Sequence, residues 1–133
     1  MTLFVDTSVW SLALRRDEPS LTPEVQALRD ALESHETVVT TGLVLQELLQ
    51  GFTGPRARRE IIDRFGALPF VNPERRDHID AAALRNQCRR SGVQIGTIDA
   101  LLAQLCIRNK LTLLSTDKDF DFIAAQHSLR LWR

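Results

Sequence analysis

At 133 residues, with 44% hydrophobic and 26% charged residues, the chain has the make-up of a single soluble globular domain spanning residues 1–133. No apolar run reaches the roughly 18–20 residues that span a bilayer. The N-terminus lacks a basic start and Asp6 breaks its apolar stretch, so neither a membrane span nor a secretory leader is expected. The formal net charge is zero, but residues 1–50 hold three Arg/Lys against eight Asp/Glu and residues 51–133 hold fourteen against nine. The basic half includes GPRARREIIDR (54–64) and RNQCRR (85–90). Such runs are either solvated helix faces or a surface for a polyanion.

The first predicted element is a strand, TLFV (2–5), followed by a mostly buried helix from Thr7 to about Arg16. A second helix lies within residues 20–35: Thr22 is its cap, Pro23 its first residue, and Val25, Leu28 and Leu32 fall on one face. ETVVTT (36–41) reads as a strand and GLVLQELLQGF (42–52) as a helix ended by Gly51. Another helix follows, with Pro55 near its start and Gly66 near its end. LPFV (68–71) reads as a short strand before Asn72 and Pro73. A long helix runs from about Glu74 to Arg90, closed by Gly92. The next begins at Thr97, capped by Thr97 or Gly96. LTLLS (111–115) is a strand, DKDFDFIAAQ (117–126) a short helical stretch, and LRLW (129–132) a last strand. Strands alternate with helices, and LFV and LTLL are apolar on both faces, which predicts a parallel sheet covered by helices on each side. Ligands of such sheets bind outside the carboxyl ends of the strands.

Acids recur at such places. Asp6 ends the first strand. Asp99 interrupts an apolar helix start. Glu47 lies in a helix that is apolar nearly all round. Asp117 follows LTLLS, with Asp119 and Asp121 close behind. Taken singly, Asp6 and Asp99 read as helix-start charges, Glu47 as the partner of a buried arginine and Asp117 as a turn residue. Brought together, the four would raise one another's pKa or demand a cation. An all-oxygen donor set without clustered His or Cys favours Mg²⁺, or Mn²⁺, over zinc. Carboxylate-held ions of this kind serve phosphodiester cleavage, a chemistry that supplies the polyanion. His35, His78 and His127 lie in no acid-rich context and read as surface or structural residues, and Cys88 and Cys106 as small buried hydrophobes of a cytoplasmic protein.

FVDTSVW (4–10), VLQELLQG (44–51) and GTIDALLAQLCIRNKLTLLSTDKDF (96–120) together resemble the PIN domain ribonucleases, and within them the VapC toxins of bacterial toxin–antitoxin pairs. The resemblance covers nearly the whole chain. It implies a three-layer α/β/α sandwich around a mainly parallel sheet, and an Mg²⁺-dependent endoribonuclease neutralised by a cognate antitoxin and usually homodimeric. It assigns Asp6, Glu47, Asp99 and Asp117 as catalytic and metal-holding residues, with Asp119 the fallback for Asp117 as fourth acid. Thr7, Ser8 and Thr116 would hydrogen-bond the carboxylates or the ion's waters. RNA-binding candidates are Arg56, Arg58, Arg59, Arg85, Arg89, Arg90 and Lys118. A phospho-accepting receiver domain, which would need an acidic pair after the first strand, fits poorly because Thr7 follows Asp6. A silent PIN-fold binding module and an RNA-processing PIN nuclease outside toxin–antitoxin systems are two rival readings of the same motifs.

Overall fold

A computed structural model describes residues 1–15 and 22–133. Strand β1 (Leu3–Val5) is buried at all three positions. Successive strand side chains point to opposite faces, so full burial means that both faces of β1 are covered. β1 pairs in parallel with β2 (Val38–Val39) on one side and β3 (Thr112–Leu114) on the other, and β4 (Arg130–Leu131) continues from β3. The order β2-β1-β3-β4 places the two predicted apolar strands at the centre of an all-parallel sheet. The chain leaves β1 toward β2 and then returns past it to β3. The seam between β1 and β3 is therefore the place where strand order reverses, and its carboxyl end is where parallel α/β sheets open a crevice.

Seven helices surround the sheet among the described residues: α1 (Thr7–Leu14), α2 (Pro23–Glu33), α3 (Gly42–Gly51), α4 (Pro55–Gly66), α5 (Arg75–Arg90), α6 (Thr97–Asn109) and α7 (Asp119–Gln126). α1 packs on α2 and α3, and α3 on α4; α5 packs on α6, which also touches β3 and α7. The predicted α2 start holds: the Thr22 hydroxyl accepts from the Val25 N–H at 3.3 Å, and Pro23 follows it. α5 also ends as predicted. Gly92 adopts φ +82°, and Gly92 N–H and Val93 N–H donate to the carbonyls of Arg89 and Cys88. This closure favours glycine because its left-handed backbone crowds a Cβ. α1 stops at Leu14 with Arg15 extended, short of the expected end at about Arg16, which itself lies outside the described residues.

The expected strand at Leu68–Val71 reduces to one parallel bridge between Thr40 and Phe70. Thr40 N–H donates to Pro69 and Val71 N–H to Thr40, and then the pairing stops. Pro69 and Pro73 bring no N–H, so this edge cannot grow.

The core includes Phe4, Trp10, Leu28, Phe65, Leu102, Leu105 and Phe120, with Trp10 and Phe65 tilted at 53° and centroids 5.0 Å apart. Cys88 and Cys106 are buried free thiols, as expected. Burial first, and then the Asp6 charge, pushes the Cys106 thiol far up, so it stays inert. One ion pair ties α5 to α6. Asp77 is fully buried and accepts from Arg108 Nε at 2.6 Å and from the Glu74 N–H at 2.8 Å. No described helix is long and apolar enough to cross a membrane.

Candidate metal centre

The site grows from the ends of β1 and β3. Their register pairs Val5 with Leu114, and Asp6 N–H continues the ladder to the Leu114 carbonyl at 2.9 Å. Asp6 and Ser115 are thereby neighbours just beyond the sheet. Asp6 occupies the N-cap position of α1, yet its side chain makes no cap hydrogen bond. The residue is only 7% exposed, and its carboxylate instead accepts from Ser115 Oγ at 2.8 Å and Ser8 Oγ at 3.0 Å, both on Oδ2. A capping residue spends its oxygen on the helix's free N–H groups. Asp6 does not, which leaves Oδ1 without a protein donor among the described residues.

Glu47 sits midway along α3 and accepts from Thr7 Oγ1 at 3.1 Å. No arginine or lysine pairs with it among the described residues, so the buried-arginine explanation of this acid fails. Asp99 is the third residue of α6, whose cap is the side-chain-free Gly96. Asp117 comes from the turn between β3 and α7, and Asp119 is the first residue of α7. Asp117 N–H donates to Ser115 Oγ at 3.0 Å, and Asp119 N–H to Asp117 Oδ1 at 2.9 Å. Carboxylate oxygens of Asp99, Asp117 and Asp119 all lie within 4.8 Å of one another. At that spacing each ionised pair repels by about 3–4 kcal/mol at an effective dielectric of 20. Burial, and then the charges of Asp6, Asp117, Asp119 and Glu47, pushes the Asp99 carboxyl up to about 6. All five acids therefore share one electrostatic neighbourhood.

The close group is Asp99, Asp117 and Asp119; Asp6 and Glu47 are near enough for their charges to raise the Asp99 carboxyl, and Asp119 stands beside Asp117 rather than in its place. Thr7 and Ser8 hold carboxylates through their hydroxyls. Thr116 contributes its backbone N–H, which donates to Ser8 Oγ at 3.2 Å. Lys118 stands exposed at the start of α7, next to the acids. Arg56, Arg58 and Arg59 lie on the exposed first turn of α4, with Arg56 3.6 Å from Glu60, and Arg89 and Arg90 on the exposed last turn of α5. Arg85 is half-buried and donates Nε to the Ile95 carbonyl at 2.7 Å, bracing the loop before α6. Asp121 has its own cation, Arg133, at 2.8 Å.

Ser115 is a site residue that the sequence pattern did not single out. It bridges Asp6 and the Asp117 backbone, and its signal was present: it is the first residue past β3, as Asp6 is past β1. Ser115→Ala is expected to keep the fold and weaken divalent-ion dependence of any activity by roughly 10- to 100-fold, the usual cost of losing an outer partner of a ligand. A metal titration of the reaction rate checks this.

The donor set fits a hard divalent cation. It consists of carboxylates steadied by hydroxyls, it carries excess negative charge, and among the described residues no histidine or cysteine joins the cluster.

A carboxylate crevice at the switch point of a parallel α/β sheet is what the geometry defines. The PIN domain profile matches residues 3–126, and the chain belongs to the PIN domain family. It is 32% identical over 119 residues to ribonuclease VapC23 of Mycobacterium tuberculosis, covering 86% of this chain and 90% of that one. A VapC ribonuclease of Mycobacterium bovis is 29% identical over 126 residues, covering 92% and 91%. Among solved structures, the VapBC2 complex of Rickettsia felis bound to a promoter DNA fragment superposes with a TM-score of 0.77 at 20% identity, covering 99% of this chain and 98% of that one. VapC20 of M. tuberculosis, described as a sarcin-ricin loop cleaving toxin, superposes with a TM-score of 0.66 at 19% identity, covering 93% and 95%. At these identities the two structures show a shared fold.

Proposed function

We propose that this chain is a divalent-metal-dependent endoribonuclease of the VapC type, hydrolysing RNA phosphodiester bonds and neutralised in the cytoplasm by a cognate antitoxin protein. The observation that carries the reading is the gathering of Asp99, Asp117 and Asp119 at the mouth of the sheet, with the charges of Asp6 and Glu47 acting on Asp99 and no ion pair to any of the five among the described residues. The curated relatives named as ribonucleases support the choice of RNA. The solved VapBC complexes support an antitoxin partner, and the family resemblance supports a homodimer.

Asp6, Asp99, Asp117 and Asp119, with Glu47, would hold Mg²⁺ or Mn²⁺. When bound, the ion supplies positive charge for the phosphoryl oxygens as negative charge builds on them. The chain's own groups supply the rest. Ser8 and Ser115 fix Asp6 through Oδ2 and keep Oδ1 available. Thr7 fixes Glu47. The Ser115 hydroxyl also anchors the turn that carries Asp117 and Asp119, so three of the acids move as one unit with β1 and β3. Such fixed ligands reduce the reorganisation needed as charge develops. Lys118, exposed on the same turn, meets the RNA backbone as a point charge. No histidine enters this scheme.

The test is cleavage of total cellular RNA by purified, antitoxin-free protein with Mg²⁺ or with EDTA, beside Asp6→Asn. Discrete fragments that require the ion and vanish in the variant are the expected result. No cleavage by folded wild-type protein with Mg²⁺, or with Mn²⁺ in its place, would overturn the nuclease reading in favour of a silent binding module. The rate is also expected to fall as pH drops below about 6. There Asp99 takes up a proton and ceases to be an anionic ligand, and protons compete directly with the metal. A pH profile at subsaturating and saturating Mg²⁺ checks this: added metal should shift the fall to lower pH.

A further inference from the structure

Beside the acids, on the β4 side, a cavity of about 250 Å³ opens between α7, β4 and the first turn of α2. Trp132 and Phe120 form apolar walls, Lys118 stands at the rim, and Ser115 and Asp117 are shared with the metal centre. Phe120 is buried, whereas Trp132 is only partly so. The Trp132 backbone N–H donates to the Leu113 carbonyl at 2.9 Å, closing the Leu113–Leu131 pair of the β3–β4 ladder. The backbone that carries the indole is thus tied to the sheet. A partly exposed tryptophan fixed beside a reacting centre is a stacking platform, since every base offers a π-face.

We propose that Trp132 stacks on one nucleobase of single-stranded RNA next to the scissile phosphate, making this cavity a base-binding subsite. The proposal rests on the nuclease reading and names a residue through which substrate is held. Charge decides which part of a nucleotide enters. Arg133 is engaged by Asp121 at 2.8 Å, and Glu24 and Asp117 add carboxylates to the wall. A phosphate inside would meet those acids, whereas a base presents amino donors that carboxylates accept. The phosphate accordingly stays at the rim with Lys118. The volume suits one base and falls below the roughly 300 Å³ at which sites for drug-sized ligands begin. Only an unpaired base can be splayed into such a space.

The chain has two tryptophans and no tyrosine, and Trp10 is 1% exposed, so quenching of intrinsic fluorescence reports on Trp132. The experiment titrates wild type, Trp132→Phe and Trp132→Ala with a mixed-sequence RNA octamer and with an abasic ribose-phosphate octamer. Mg²⁺ is present, and the catalytically dead Asp6→Asn background keeps the RNA intact. Quenching by the RNA and not by the abasic strand is expected in the protein that retains Trp132. Trp132→Ala should bind RNA about 5- to 100-fold more weakly by a competition assay, and Trp132→Phe should keep most of the affinity. Equal quenching by both strands, or none, overturns the proposal, as does undiminished affinity in a folded Trp132→Ala. If Trp132→Ala fails to fold, the strand comparison in the Trp132-containing protein still decides. Separate cleavage of total RNA by wild type distinguishes the two failures: cleavage with no Trp132 effect removes this subsite alone, and absence of cleavage removes the nuclease reading.

Discussion

Asp99→Asn is expected to eliminate RNA cleavage and, in EDTA, to raise the melting temperature. The loss should exceed the roughly 10- to 100-fold that follows from removing an outer partner of a metal ligand, because Asp99 is itself in the cluster. The gain in stability follows from the same geometry. In the folded, metal-free protein the Asp99 carboxyl is pushed up to about 6, while in the unfolded chain it titrates near the ordinary value. Between roughly pH 4 and 6 the folded state binds the extra proton, so stability from this group falls as pH rises through that window. At pH 7 the wild type carries the full repulsion and the neutral amide does not. Differential scanning calorimetry in EDTA at pH 5 and pH 7.5 measures both effects. The variant's advantage should be larger at pH 7.5. A variant less stable than wild type at pH 7.5, or one that still cleaves, would contradict the role given to Asp99.

The largest loss of stability is expected from Arg108→Met. Asp77 is fully buried, and Arg108 Nε reaches it at 2.6 Å. Arg108 also donates to the Asn72 carbonyl at 3.3 Å and lies 3.7 Å from Glu74. Removing one member of a buried pair leaves an uncompensated charge and costs about 3–5 kcal/mol. For a domain of this size that is roughly 10–20 °C in melting temperature. Burial alone would raise the Asp77 carboxyl, but the hydrogen bonds from Arg108 and the Glu74 N–H outweigh it and hold it below the usual range. The pair's contribution is therefore present above the unfolded carboxyl value near 4 and is lost as pH falls through the lower folded one. The gap between wild type and Arg108→Met should narrow in acid. Asp77→Asn/Arg108→Met should recover part of the loss, because a buried amide needs no cation. Urea unfolding at pH 7 and pH 3 checks the set.

Much of this was legible in the sequence for definite physical reasons. Leu3-Phe4-Val5 and Leu113-Leu114 have no polar alternation, so they could only be strands covered on both faces, and they form the centre of the sheet. Asp6 and Glu47 stand out because a carboxylate among buried neighbours is costly unless something balances it. What escaped depended on register and packing. Ser115 is an ordinary hydroxyl until the pairing of Val5 with Leu114 sets it beside Asp6. Asp77 and Arg108 are 31 residues apart, and only the packing of α5 on α6 brings them together. Arg85 resembles its exposed neighbours in sequence, yet its place on the α5 face toward the α6 loop gives it a backbone carbonyl. The strand expected at Leu68–Val71 was stopped by the prolines around it. The sequence ranked Asp117 ahead of Asp119, yet the end of the turn and the first residue of α7 bring both carboxylates within 4.8 Å of Asp99.

The most direct measurement of the central claim, that these acids gather to hold a divalent cation, is equilibrium binding of Mn²⁺ to the purified protein at pH 7.5, followed by electron paramagnetic resonance. Wild type is expected to bind the ion saturably, Ser115→Ala more weakly, and Asp6→Asn and Asp99→Asn far more weakly still, with all four proteins folded. Absence of saturable binding to wild type, or equal binding by Asp6→Asn and Asp99→Asn, would contradict it.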